Sequence, residues 1–257
     1  MKTTSIGFIG GGRITRIILQ ALQNKQFGIN SVVVSDNNEE VLNALKNQIH
    51  GIQVTTENKI AAKQDLVIVA LHPPAIMNVL EEIKDEVSGK ATLLSLAPKI
   101  TIEKFKTVLG LKKVARIIPN ATSVINEGYN PVCFASEIKK TEKTNLLNWL
   151  KMLGTTFEVE ENKLEAYAIV SAMAPTYFWF QWQKLVELGK EFGLASGESE
   201  QAVYKSLAAA LNVQFNDTMV YDEVVDLIPV KPIGEHETDI DEIYEQKLKG
   251  LFAKISN

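Results

Sequence analysis

The run Ser5-Ile6-Gly7-Phe8-Ile9-Gly10-Gly11-Gly12-Arg13-Ile14-Thr15 constrains this chain more than any other stretch. Ile6–Ile9 reads as a strand. Ile14, Ile17, Ile18, Ala21 and Leu22 follow at spacings of three and four and read as a helix with one apolar stripe. Three glycines where a strand hands over to a helix suit an anionic ligand. Gly10 permits a tight turn, Gly12 removes a Cβ from the path of a pyrophosphate, and the helix start offers unpaired N–H groups and the positive end of its dipole. The third glycine of the usual pattern is replaced by Thr15, which predicts a slightly looser helix–strand contact. The competing readings are a bare βα turn with a helix cap, or the similar turn of a methyl-donor fold.

Short β-rich runs at Ile6–Ile9, Ser31–Ser35, Leu66–Leu71, Ala91–Leu96 and Val114–Ile118 alternate with helical patterns, which predicts a parallel sheet covered by helices. Leu66–Leu71 is apolar at every position, as a central strand covered on both faces should be. A hairpin-like pair, Pro131–Ala135 and Thr155–Val159, flanks a helix around Thr141–Met152. From Lys163 strand signals vanish. Three helical patterns follow at Lys163–Phe192, Glu198–Val220 and Asp239–Ile255, the first expected to bend near Pro175. The prolines and glycine of Ile228–Glu235 mark an irregular loop.

The second strand ends Val34-Ser35-Asp36-Asn37-Asn38, and Asp36 falls 24 residues after Gly12. An acid at about that distance holds the adenosine ribose of NAD and repels the 2′-phosphate of NADP. Ser35, Asn37, Asn38 and Arg13 have the chemistry to serve that phosphate instead, so either cofactor stays open. Composition narrows the partners. The 257 residues carry a net charge of −4, and Arg13, Arg16 and Arg116 are the only arginines, which argues against a nucleic-acid partner. No stretch approaches the ~20 apolar residues that cross a bilayer, and Met1–Ser5 runs into the first strand without a secretory leader, so a cytoplasmic protein is expected. Cys133 is the sole cysteine and sits in an apolar context. His50, His72 and His236 lack metal-ligand spacing, so no metal site is expected.

Three stretches resemble the pyrroline-5-carboxylate reductase family, which reduces a cyclic imine to proline with a nicotinamide cofactor. Ile6–Gly12 is similar to its nucleotide turn. Arg116-Ile117-Ile118-Pro119-Asn120 with Gly128 is similar to its R-x-x-P-N segment. Val170-Ser171-Ala172-Met173-Ala174-Pro175-Thr176-Tyr177 is similar to its V-S-G-S-G-P-A-Y segment. The resemblance implies a Rossmann-type parallel-sheet domain over residues 1–160 and an all-α dimerisation and substrate domain over 161–257. It also implies NADP or NAD as cofactor, a small-molecule substrate, and a homodimer or larger homo-oligomer.

The cofactor set it implies is Gly10, Gly11, Gly12, Arg13, Ile14, Ser35, Asp36 and Asn37, with Leu71, His72 and Pro73, then Ala97, and Asn120 against the nicotinamide. Arg116 is expected to be structural, pairing with acids. Ser171, Tyr177 and Lys231 are the candidates for substrate contact and proton supply. The late loop departs from the family: Ile228–Gly234 stands where S-P-G-G-T-T is usual, and Lys231 is the group there able to grip an acid. No acid–base residue of the kind a carbonyl substrate demands is evident, so imine reduction is favoured over alcohol oxidation. The reading from another class is a nucleotide-binding sensor or scaffold without turnover.

Overall fold

The computed structural model describes residues 5–28 and 31–256. Met1–Thr4, read above as carrying no leader, lie outside them. The strands are β1 (Ile6–Ile9), β2 (Val32–Ser35), β3 (Gln53–Thr55), β4 (Leu66–Val69), β5 (Thr92–Ser95), β6 (Val114–Ile117), β7 (Gly128–Phe134) and β8 (Gly154–Glu158). The helices among them are α1 (Arg13–Asn24), α2 (Glu39–Gln48), α3 (Asn58–Ala62), α4 (Pro73–Ile83), α5 (Ile102–Leu109) and α6 (Lys140–Leu150). Among the described residues these strands form one sheet in the order β3-β2-β1-β4-β5-β6-β7-β8. β1 to β6 are all parallel, β7 runs antiparallel to β6, and β8 runs parallel to β7.

The first six strands therefore follow the 3-2-1-4-5-6 order of the Rossmann fold, with the reversal of winding between β1 and β4. β1 and β4 are buried at every residue, as continuous apolar runs in a doubly covered sheet must be. Ile18, Leu19, Ala21 and Leu22 of α1, Ile76, Leu80 and Ile83 of α4, and Phe105 of α5 complete that core.

Two expectations are corrected. The pair read as a hairpin is parallel, because α6 lies between β7 and β8 and a crossover through a helix returns the chain in the same direction. The long helix over Lys163–Phe192 is broken rather than bent. A short α7 (Leu164–Tyr167) runs into a π-helical turn at Ala168–Ala172, and α8 (Pro175–Glu191) starts afresh with proline at its opening, where the missing N–H costs no bond.

The chain divides into two compact units. One runs to Ala172 and takes up the chain again from Phe252; the other is Met173–Leu251. In the first, Arg116 of β6 is buried between Glu161 and Glu165, at 2.8 and 2.6 Å. Burial alone would lower its pKa, but the bonds from both glutamates outweigh that and raise it. Phe252, Ile255 and Ser256 line a cavity of about 370 Å³ with Lys99, Arg116, Glu161 and Glu165. The second unit holds α8, α9 (Ser196–Asn216), α10 (Tyr221–Asp226) and α11 (Glu237–Ser256) up to Leu251. There Ser199 is buried with its hydroxyl on the Val186 carbonyl at 2.8 Å.

Candidate cofactor-binding site

The carboxyl ends of β1, β2, β4, β5 and β6 share one edge of the sheet, and the candidate residues of the first unit gather there. Gly10 follows β1 with φ of +103°, and a Cβ on it would lie 2.5 Å from the Ala70 carbonyl oxygen. No other residue fits. Thr15, the apparent flaw in the motif, is fully buried and donates its hydroxyl to the Gly10 carbonyl at 2.5 Å. The expected looseness is thus corrected: a hydroxyl ties helix to turn where a third glycine would only have let them touch.

Gly11 donates its N–H to Asp36 Oδ2 at 2.8 Å. Gly12 caps α1 with an ordinary φ of −67° and no side chain bonded into the first turn. A Cβ on Gly12 would meet nothing within 4 Å. The opening N–H groups of α1, around Arg13 and Ile14, therefore face clear space at the positive end of the helix. That is a cradle which a side chain would fill and which a dinucleotide's diphosphate fits.

At the tip of β2, Ser35 is fully buried, with its hydroxyl 2.9 Å from Asn58 Oδ1 and 3.3 Å from the Phe8 carbonyl oxygen. Asp36 is half-buried, Asn37 is exposed, and Asn38 accepts the Glu40 and Val41 amides as the cap of α2. Beyond β4, Leu71 packs against the Gly10 turn. His72 caps α4 through its backbone alone, and Pro73 opens that helix. Ala97, past β5, is buried and donates its N–H to Ser95 Oγ at 3.2 Å.

Asn120, past β6, is buried and heavily engaged. Its Oδ1 accepts from Thr122 N and Oγ1, its Nδ2 donates to the Ser171 carbonyl at 3.2 Å, and its own amide donates to Asn130 Oδ1 at 2.8 Å. These bonds leave one carboxamide hydrogen for any ligand. Ser171 lies in the π-helical turn, its hydroxyl 3.4 Å from the Tyr129 carbonyl oxygen. Asn126, with φ of +63°, donates Nδ2 to the carbonyls of Ala21 at 2.8 Å and Met152 at 2.6 Å, which fastens the segment after Asn120 to the far end of α1.

Tyr177 and Lys231 belong to the second unit. Tyr177 stacks edge-on against Tyr244 with ring centroids 5.9 Å apart, and burial, with a smaller push from Tyr244, raises its pKa above the ordinary phenol. Lys231 is exposed in the loop before Gly234. Sequence reasoning missed Glu161 and Glu165. Glu161 accepts the Ile102 amide at 2.7 Å and Glu165 the Lys99 amide at 3.3 Å, so with Arg116 they hold the loop after β5, where Lys99 adopts φ of +72°. Their i,i+4 spacing was the available signal.

Residues 5–98 match the family described as NADP oxidoreductase, coenzyme F420-dependent. The pyrroline-5-carboxylate reductase of Corynebacterium melassecola is 24% identical over 256 residues, covering 98% of this chain and 94% of the relative. Over nearly its whole length this chain is similar to pyrroline-5-carboxylate reductases. The solved structure of such a reductase from Coxiella burnetii is 25% identical and superposes with a TM-score of 0.73, covering 99% of this chain and 95% of that one. The Plasmodium falciparum pyrroline carboxylate reductase with NADP bound, 18% identical, shares the fold with a TM-score of 0.77 over 100% of this chain and 95% of its own. The late loop at 228–233, whose sequence departs from the pattern usual in the family it resembles, is exposed and irregular.

Proposed function

We propose that the chain is an NAD(P)H-dependent reductase acting on the C=N bond of pyrroline-5-carboxylate or a closely related cyclic imine. The observation that carries this is the uncapped start of α1, with clear space over Gly12, at the point where the sheet reverses its winding, in a chain similar over nearly its whole length to such reductases. The chemistry a bound reduced nicotinamide supplies is hydride transfer to the imine carbon. The chain's own task is to bind, orient and exclude water.

Main-chain amides from Gly12 to Ile14 would hold the diphosphate and Asp36 the ribose. Leu71, His72, Pro73 and Ala97 line the edge along which the remainder would lie. Asn120 positions the loop beyond β6 through Thr122 and Ser171. We assign substrate contact to Ser171. A protonated imine needs little acid–base help, and Tyr177, a phenol protonated at neutral pH, is the assigned proton donor. Lys231 is assigned to the substrate's acid group.

The working form we propose is a homodimer or larger homo-oligomer in the cytoplasm. In support, no residue of α8 or α10 is buried, α9 buries only Ser199, and Phe180, Phe192 and Phe215 are 68%, 80% and 70% exposed. Helices this apolar need a covering surface, and sedimentation at rising protein concentration tests it. For the reaction, loss of reduced-nicotinamide absorbance is followed with pyrroline-5-carboxylate present and absent. Imine-dependent oxidation is expected. Nucleotide binding without imine-dependent oxidation would instead favour a sensor or scaffold.

A further inference from the structure

Resting on the cofactor reading above, the tip of β2 separates two pyridine nucleotides that differ only in a phosphate on the adenosine ribose. Four groups near it have the chemistry to receive that phosphate: Ser35, Asn37, Asn38 and Arg13. The fold employs two of them elsewhere. Ser35 is wholly buried against Asn58 and Phe8, and the Asn38 side chain is committed to the first amides of α2. Arg13 is exposed on the first turn of α1, the turn whose amides form the diphosphate cradle. Asn37, which is neutral, and Arg13, which stands on α1 rather than at the tip of β2, remain.

Against these stand three carboxylates. Asp36 accepts the Gly11 amide on Oδ2 at 2.8 Å and the Asn38 amide on Oδ1 at 2.9 Å, so two main-chain donors fix its position beside the glycine turn. Each carboxylate oxygen keeps a further lone pair, which suits it to accept from ribose hydroxyls. Glu39 and Glu40 follow on the first turn of α2, both exposed, where acids complement the helix dipole. A 2′-phosphate would bring close to two negative charges to this acidic tip and find no cation of β2 or α2 beside it.

We infer that Asp36, backed by Glu39 and Glu40, makes this chain select NAD(H) over NADP(H). Because Asp36 is bonded to Gly11, the ribose grip and the diphosphate turn form one piece. Asp36→Asn removes the charge and keeps one oxygen for the Gly11 amide, at the cost of the bond from the Asn38 amide; melting of the free variant reads that structural cost apart from the change in nucleotide preference.

Dissociation constants for NADH and NADPH are measured on the whole protein by quenching of its tryptophan fluorescence, with thermal shift as an independent readout. In the unaltered protein NADH is expected to bind at least about tenfold more tightly, the scale of like-charge repulsion at a partly exposed site. Asp36→Asn should weaken NADH, strengthen NADPH and bring their ratio near unity. Glu39→Gln with Glu40→Gln, on an exposed helix face, should strengthen NADPH alone. NADPH binding as tightly as NADH to the unaltered protein overturns the inference. So does an Asp36→Asn protein that folds with the ratio unchanged, or an Arg13→Gln protein that loses NADPH selectively. If Asp36→Asn does not fold, the unaltered protein and the Glu39/Glu40 pair still decide. Silence of both titrations would overturn the cofactor reading itself, which a failed preference alone would not produce.

Discussion

Replacing Gly12 with alanine separates ligand binding from folding, because the backbone there is ordinary and the added methyl meets nothing. Two small effects oppose each other in the free protein. Alanine caps a helix less well than glycine, yet it restricts the unfolded chain, so stability should stay within about 1 kcal/mol of the parent. The bound state differs. If the methyl keeps a diphosphate from two charged hydrogen bonds worth about 1.5–3 kcal/mol each, affinity falls by about 3 kcal/mol or more, over a hundredfold in Kd.

Gly10→Ala is the converse control. Its φ of +103° and the Ala70 carbonyl oxygen 2.5 Å from the new Cβ should cost about 2–4 kcal/mol before any ligand is added. At about 2–4 °C per kcal/mol for a chain of this size, that lowers Tm by about 4–16 °C. Thermal unfolding of both variants at one protomer concentration, with and without nucleotide, reads both effects. A Gly12→Ala protein that binds nucleotide like the parent would refute the cradle, and an unaffected Gly10→Ala protein would refute the turn geometry.

Arg116→Met strands Glu165, only 10% exposed, without its partner and should cost about 3–5 kcal/mol, read as a lower urea midpoint. Thr15→Val keeps the shape but removes the buried bond to the Gly10 carbonyl. It should lose about 1–3 kcal/mol and weaken nucleotide binding, measured by melting and titration. Burial pushes the Cys133 thiol from 9.0 up to about 12, so the folded protein should resist alkylation at pH 8 and react on unfolding, as mass spectrometry would show. The same shift means that the unfolded thiol ionises first as pH rises. The stability that Cys133 contributes should thus be intact below about pH 9 and fade between 9 and 12, visible in denaturation midpoints. Lys231→Met should raise KM for the imine and leave kcat largely unchanged, as for lost ground-state binding; an unchanged KM removes that assignment.

The first strand, turn and helix were legible because Gly10 and Gly12 answer separate physical demands, left-handed backbone and clear space, that few other residues meet. β4 was legible from unbroken apolar sequence. β3 was not: Gln53–Thr55 is three residues long with no residue fully buried, so no hydrophobic pattern announces it. Strand direction was also hidden, since alternation in β7 and β8 says which face is covered and nothing of which way the chain runs. Pro175 marked a discontinuity correctly but not its nature, because the same missing N–H suits a kink and a fresh start. Among the candidate site residues, spacing drew attention to Asp36, whose carboxylate accepts the Gly11 amide of the glycine turn. Ser35, one position earlier, faces the interior because neighbours in a strand point opposite ways. Glu161 and Glu165 resemble surface acids until the fold brings Arg116 between them.

The chain's last turn has a bearing on how the protein is born. Phe252–Ser256 rejoin the unit whose final strand ended at Glu158, and Ile255 closes the cavity beside Arg116 from there. A chain made from its amino terminus completes the sheet well before Phe252–Ser256 emerge, so the residues that cover the ionic cluster arrive after the cluster's own. Removing Phe252–Ser256 would thus open the cavity beside Arg116 in the unit that carries the glycine turn, remote in sequence though that turn is.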